Sequence, residues 1–299
     1  MTTLNSTVNR VQPFIINVLF WIFTAASLLP FLLVVIASFT DEKTIALHGY
    51  SFFPVKFSVA AYQFLINDSD TILRAYGVTI LTTIIGTLVS VLLTALYAYP
   101  ISKPDLPFKR SLSFYIFFTM LFGGGLVPWY IVYSQYFHIK DTIFALIVPN
   151  LLMGAFNVLM MRSFFANSIP ESVLESATID GAGEFRIFFQ MVVPMSLPVF
   201  ATVGLFNTLA YWNDWFNSMI FNDNATLYNL QYLMSKTLTN IQFLTMKTDS
   251  SKASELLATM PTETVRMAMA IIGMGPIILA YPFFQKFYIQ GITVGAVKG

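Results

Sequence analysis

Residues 75–100 read AYGVTILTTIIGTLVSVLLTALYAYP, twenty-six residues without one charge. A hydrocarbon core about 30 Å thick is crossed by about 20 apolar helical residues. Lipid offers no partners to backbone N–H and C=O groups, so a spanning segment of this kind is a helix rather than a strand. Five more stretches have the same character: about 13–38, 112–135, 143–166, 195–220 and 266–288. The first begins behind Arg10, outruns a signal-peptide core and has no small-residue cleavage site, so it reads as a retained span. Composition agrees, with 56% hydrophobic and 10% charged residues against about 25% charged in soluble chains. The expected architecture is all-α: a polytopic membrane protein with six transmembrane helices in one domain over residues 1–299.

The same numbers exclude several functions. A net charge of +1 gives no global electrostatic case for nucleic acid. The absence of cysteine excludes disulfides, thiolate zinc sites and cysteine nucleophiles. Two histidines, His48 and His138, fall in expected loops, so neither a metal ligand nor a catalytic residue is assigned. No G-x-x-x-x-G-K-[ST] phosphate loop occurs, and Gly181-Ala182-Gly183 is not followed by Lys-Ser/Thr. No nucleophile–base or acid–base pair stands out within the spans. The chain is therefore expected not to be an enzyme and to bind no cofactor of its own.

Interruptions mark the spans. Gly123-Gly124-Gly125 and Pro128 break the third, and Pro276 and Pro282 fall inside the sixth. Thr82, Gly86, Ser90 and Thr94 recur every four residues on one face of the second, a spacing that suits close helix packing. Six helices place 1–12, 101–111, 167–194 and 289–299 on one side, and 39–74, 136–142 and 221–265 on the other. Lys and Arg divide eight to each side, although Lys103, Lys109 and Arg110 crowd one short loop and favour termini inside.

Residues 168–194 read SIPESVLESATIDGAGEFRIFFQMVVP. Ser168 and Glu171 are spaced as a capping box, Pro170 suits a first helical turn, and Gly181 can end the helix in a left-handed conformation. A second helical segment over 184–192 follows, before Pro194 opens the fifth span. By pattern alone this is a helix–turn–helix at a membrane surface. Glu175-Ser176-Ala177, three residues, Gly181, nine residues and Met191-Val192-Val193-Pro194 resemble the signature loop of bacterial ABC-importer permeases. That pattern is Glu-Ala-Ala, three residues, Gly, nine residues, Ile-any-Leu-Pro; Glu175, Ala177, Gly181 and Pro194 match it, while Ser176 replaces an alanine and Met191 and Val193 replace aliphatic residues of similar bulk. The Tyr211–Trp215 run and the ending Gly291–Gly299 are similar to the second permease subunit of carbohydrate importers, in the branch associated with oligo- and polysaccharide uptake.

The resemblance implies a type I importer permease fold in the bacterial inner (cytoplasmic) membrane, multi-pass, with both termini cytoplasmic. The 167–194 loop would be the coupling helix, with Glu175, Ser176, Ala177, Asp180, Gly181 and Pro194 coupling it to an ATPase. The implied partners are a second permease in a heterodimer, two ATPase subunits that hold ATP and magnesium, an extracytoplasmic solute-binding protein, and a carbohydrate cargo. The surrounding lipid bilayer completes the set.

Asn207, Tyr211, Asp214 and Ser218 form one stripe along span five, flanked by Trp212 and Trp215. An ionisable Asp214 at an apolar depth normally faces a bundle interior or aqueous cavity. Sugars match such a stripe through ring stacking and hydroxyl partners, which makes Asn207, Tyr211, Trp212, Asn213, Asp214 and Trp215 substrate-path candidates, with Asn150 and Asn157 on span four. Interfacial aromatic belts and interhelical hydrogen bonding explain the same residues. The outer loop 221–265, containing Asp249-Ser250-Ser251-Lys252 and Pro261, is long enough to be functional. A permease for a non-sugar solute and a secondary carrier remain alternatives.

Overall fold

The computed structural model describes residues 2–67, 69–247 and 262–296. The Asp249–Lys252 run, Pro261 and Val297–Gly299 lie outside them. Among the described residues there is no β-strand, and Thr40 and Phe57 form an isolated antiparallel bridge. The all-α expectation holds. Helices follow in chain order: α1 (Thr2–Ser38), α2 (Glu42–His48), α3 (Ala60–Ile66), α4 (Ser69–Ser102), α5 (Lys109–Leu121) and α6 (Leu126–Ile131). Then come α7 (Phe144–Ile147), α8 (Ala155–Ser168), α9 (Glu171–Ile179), α10 (Glu184–Ile187), α11 (Val193–Met195) and α12 (Leu197–Trp212). The remainder are α13 (Phe216–Phe221), α14 (Leu230–Lys247) and α15 (Glu263–Ala296).

Two unbroken stretches are long and apolar enough to cross a membrane, Pro13–Ser38 and Ser69–Ser102, with mean hydropathies of 2.5 and 2.1. Two more candidates are bent pairs. Lys109–Leu121 and Leu126–Tyr136 diverge by 113°, at the glycine run anticipated above. Glu184–Met195 and Leu197–Trp212 diverge by 83°. The described residues thus hold two to four candidate spans. The 143–166 stretch is not one helix: it breaks between α7 and α8, where Pro149 supplies no N–H and Asn150 adopts φ 62. Conversely, α15 runs through both Pro276 and Pro282.

The chain divides into two compact units, Met1–Ser69 with Lys236–Met274, and Asp70–Ser235 with Gly275–Gly299. In the first, α1 exposes Phe14, Trp21, Ile22 and Phe23 on all sides, as a lipid-facing helix does. The Ser38 hydroxyl pairs with Tyr62 at 2.8 Å, and Phe39 stacks on the Tyr62 ring at 4.7 Å. Glu42 serves as a remote cap on α15. Its carboxylate accepts from the backbone N–H groups of Glu263 and Thr264, both at 2.9 Å, and from the Thr262 and Thr264 hydroxyls. These are donors that a helix start leaves without partners. Burial opposes the Glu42 charge, but the hydrogen bonds from Thr264, Glu263 and Thr262 outweigh it and hold the carboxyl below its usual range.

The second unit has its main core where α4, α5, α8, α9, α10 and α12 meet. Ala95, Ala98, Tyr99, Met161, Phe165, Phe188 and Val203 are buried together there. The small-residue face of α4 is the seam of this packing. Thr82, Ser90 and Thr94 are at most 3% exposed, and a Cβ on Gly86 would fall 2.4 Å from the Tyr211 ring. Glycine is required at 86 because a tyrosine occupies the space a side chain would need.

Candidate functional site

Ile169 precedes a proline, which disfavours helical backbone; it is extended here, and α8 stops at Ser168. Pro170 then takes the N-cap position of α9 in extended conformation, with no side-chain cap. The Ser168–Glu171 capping box is therefore not formed: Ser168 belongs to the preceding helix. At the far end Gly181 has φ 80. The Ala182 N–H donates to the Ala177 carbonyl and the Gly181 N–H to the Thr178 carbonyl, both at 3.0 Å. This is the Schellman closure, which satisfies the last carbonyls and reverses the chain. After α10 a π-helical turn, Phe188–Val192, leads into α11, where Pro194 is exposed. The long helix of span five starts at Leu197 rather than at Pro194, because the chain bends at Ser196 and Pro198 supplies the first-turn proline.

The turn has two faces. Ala177 is 2% exposed and packs into the main core with Leu174 and Ala182. Glu175, Ser176, Asp180 and Gly181 lie on the open face. Beside them Ile179 and Phe185 are 85% and 74% exposed, two large apolar side chains flanking one turn. A groove of about 670 Å³ runs between the 102–107 loop and α9, with Asp105, Glu171, Glu175 and Glu184 among its walls.

Lys103 closes one end of the groove. Its ammonium meets the two carboxylate oxygens of Glu184 at 2.6 and 2.5 Å and lies 4.9 Å from the Tyr99 ring centre, and the Tyr99 hydroxyl donates to Glu184 at 3.1 Å. The Lys103 hydrogen bond, aided by Tyr99, outweighs the opposing effect of burial and holds the Glu184 carboxyl below its usual range. Burial works against the Lys103 charge, but the Glu184 and Tyr99 oxygens prevail and raise it. Loop 101–111 is thereby tied to the turn. Nothing in the spacing of Lys103 and Glu184, 81 residues apart, announces this pair.

The span-five stripe is split by the structure. Asn207 is buried in a chain of side-chain hydrogen bonds: Asn157 Nδ2 donates to Asn207 Oδ1 at 3.0 Å, and Asn207 Nδ2 to Ser90 Oγ at 2.9 Å. These link α8, α12 and α4. Tyr211, 2% exposed, donates its hydroxyl to the Ile147 carbonyl at 2.8 Å. Trp212 is buried with Ala75 and Leu230. Beyond the end of α12, Asn213 and Trp215 are exposed. Asp214 Oδ1 accepts from the Phe216 and Asn217 N–H groups, both at 3.2 Å, and so caps α13. Asn157, Asn207 and Tyr211 are thus brought together inside the bundle, whereas Asn213 and Trp215 face outward.

Comparison with known proteins places this architecture. Residues 106–294 match the model of the binding-protein-dependent transport system inner membrane component family. The chain is similar to the polygalacturonan/rhamnogalacturonan transport system permease protein YtcP of Bacillus subtilis, at 34% identity over 97% of this chain and 99% of the relative. It is similar to Protein LplC of the same organism at 33% identity, over 92% and 90%. Among solved structures it resembles a bacterial ABC transporter involved in the import of the acidic polysaccharide alginate, with TM-score 0.77 and 27% identity over 94% of this chain and 98% of that one. The chain belongs to the family of binding-protein-dependent transport system inner membrane components.

Proposed function

We propose that this chain is one permease half of an ATP-driven importer of oligo- or polysaccharides. The observation that carries the reading is the helix–turn–helix at 171–195: a glycine-closed turn, exposed Ile179 and Phe185, and a row of acids along the same face. Such a surface, polar at the rim with apolar anchors, suits a protein partner. In this reading the partner is one of two ATPase subunits, which supply ATP and magnesium. The chain acts as one permease domain, pairs with a second permease, and receives its cargo from an extracytoplasmic binding protein. It crosses the inner membrane six times, with both termini and the 167–194 loop cytoplasmic. The broken α5–α6, α7–α8 and α12–α13 helices then count as imperfect spans. The carbohydrate class is supported by similarity to a permease named for polygalacturonan and rhamnogalacturonan and to an alginate importer.

The chain by itself is proposed to hydrolyse no ATP. The test is reconstitution with its neighbouring ATPase, second permease and binding protein, followed by sugar-stimulated ATP hydrolysis. Gly181→Pro removes the N–H that closes the turn and forbids φ 80, and Glu175→Lys reverses charge on the docking face. Both are expected to cut sugar-stimulated hydrolysis and uptake together in complexes that still assemble. Normal transport by both variants, or nucleotide hydrolysis by the uncontaminated isolated chain, sinks the assignment.

A further inference from the structure

The loop after α2 carries a row of apolar side chains that its own chain does not cover. Phe53, Val55, Phe57 and Val59 stand at every second position, and all four are exposed, Phe53 at 89% and Val55 at 81%. Leaving a Phe or Val side chain in water forfeits about 1.5–3 kcal/mol relative to burying it. A row of this kind marks an interaction surface, whereas single exposed apolar residues do not.

The loop is nonetheless fixed in place. At its start the Tyr50 hydroxyl donates to Glu263 Oε2 at 2.8 Å, and Glu263 opens α15. At its end the backbone pairs with the exit of α1. The Asp41 N–H donates to the Lys56 carbonyl at 3.0 Å, and the Ser58 N–H to the Phe39 carbonyl at 2.8 Å, on either side of the Thr40–Phe57 bridge. The Lys56 ammonium adds an ion pair to Asp41 at 3.2 Å. The exposure is therefore built in: the backbone is tied down while the apolar side chains stand outward.

That pairing sets the depth of the row. The apolar core of Pro13–Ser38 is nowhere buried by protein and faces lipid. Its 26 residues measure about 39 Å at the helical rise. A hydrocarbon core is about 30 Å thick, so the last turn of α1 reaches the headgroup zone. Phe57 is bridged to Thr40, two residues beyond that end, and lies at the same level. An apolar groove of about 560 Å³ separates Val35, Ile36 and Phe39 from Phe57, Ser58 and Val59. The lipid-facing surface of α1 thus continues into the loop. We propose that residues 53–59 form an interfacial anchor, with Phe53 and Val55 dipped into the headgroup–acyl boundary of the bilayer and a lipid acyl chain lying in the groove. Lys56, 70% exposed in its side chain, is placed to reach water beside them. Through Tyr50 and Glu263 the anchor fixes the level of the start of α15. The inference holds for any cargo.

The test uses single-cysteine variants, which a cysteine-free chain makes unambiguous. Phe53→Cys and Val55→Cys carry a nitroxide in the complex, assembled with partners stripped of cysteine, in vesicles of phosphatidylcholine and phosphatidylglycerol. Phe23→Cys on α1 marks lipid, and Lys43→Cys on α2 marks water; both positions are exposed. Spin relaxation is read with oxygen, which concentrates in lipid, and with a nickel chelate, which stays in water. The labels at 53 and 55 are expected to lose nickel collisions and gain oxygen collisions, shifting from the Lys43 value toward the Phe23 value. Nickel collisions equal to those at Lys43 overturn the anchor. Protection from both reagents also overturns it, because protein then covers the loop. Such protection names the binding protein if it appears only on adding that protein, and the second permease if it is there without it. The two labels are read separately, so a variant that fails to assemble leaves the other to decide.

Discussion

Gly86 and Gly181 are both glycines in the same compact unit, and they are glycines for opposite reasons. Gly86 has ordinary helical backbone and no room: the Tyr211 ring lies where its side chain would be. Gly181 has ample room and a backbone that side chains resist: nothing lies within 4 Å of an added Cβ, yet φ is 80. One glycine belongs to a seam in which α4, α8 and α12 are locked. The other belongs to a turn whose outer face is open. A rigid seam and an exposed turn are what a lever needs, since a load taken at the turn reaches the bundle only if the bundle does not yield.

The comparison breaks most visibly at the seam. Gly86→Val drives two methyl groups into Tyr211 and is expected to destabilise the protein by about 3 kcal/mol, at the upper end for overpacking. The measurement is thermal unfolding in detergent. The specific cause is tested by a double-mutant cycle with Tyr211→Ala, which vacates the space, so the two effects must be strongly non-additive. Additivity means that Gly86 matters for some reason other than the tyrosine.

A smaller effect comes from the far end of the same ring. Tyr211→Phe keeps the packing and removes one hydroxyl. The Ile147 carbonyl, at the last residue of α7 and without a helical partner, is left unpaired. The expected cost is about 1–3 kcal/mol, read as a lower melting temperature with unchanged assembly at low temperature. An unaltered melting temperature shows that water replaces the hydroxyl, and with it that the seam is wet.

Gly181→Ala tests the other half of the comparison. With open space around it, the substitution costs only the left-handed strain, about 1–2 kcal/mol, and Gly181→Asn costs less because asparagine tolerates that region. The damage is expected to be local: sugar-stimulated ATP hydrolysis falls while the melting temperature of the bundle changes little. A melting shift as large as that of Gly86→Val shows instead that the turn is part of the core.

The turn was legible in the sequence and the seam only half so. Glycine after nine good helix residues, with Pro170 before them, is a local signal, and local backbone chemistry decides how such a turn folds. Thr82, Gly86, Ser90 and Thr94 announced a packing face, but not that Tyr211 would fill it. The stripe Asn207–Tyr211–Asp214 reads from spacing as one continuous line. The structure divides it, because α12 ends at Trp212 and Asn213 and Trp215, in the break that follows, face outward. The break at Pro149–Asn150 was likewise hidden inside an apolar run whose average hydropathy is indifferent to one proline. Long-range pairs such as Glu42 with Thr262–Thr264, 220–222 residues apart, leave no trace in any local pattern.

The smallest expected effect belongs to the Lys103–Glu184 pair, which joins the turn to loop 101–111. The Glu184 side chain is 64% exposed, so solvent screens the interaction and its contribution is about 1 kcal/mol at most. The signs of the two titrations set its pH window. Glu184 titrates below its ordinary value of 4.5 in the folded protein, so its share of stability is present above 4.5 and is lost as pH falls through the lower folded value. Lys103 titrates above its ordinary 10.5, so its share is present below 10.5 and is lost as pH rises through the higher folded value. Between those limits the pair contributes a constant amount. Lys103→Met is therefore expected to lower the melting temperature slightly and equally at pH 6 and pH 8, with the difference from wild type shrinking only under strong acid or strong alkali. A Lys103→Met penalty that changes between pH 6 and 8 means that some other titrating group, and not the Glu184 carboxylate, holds loop 101–111 to the turn.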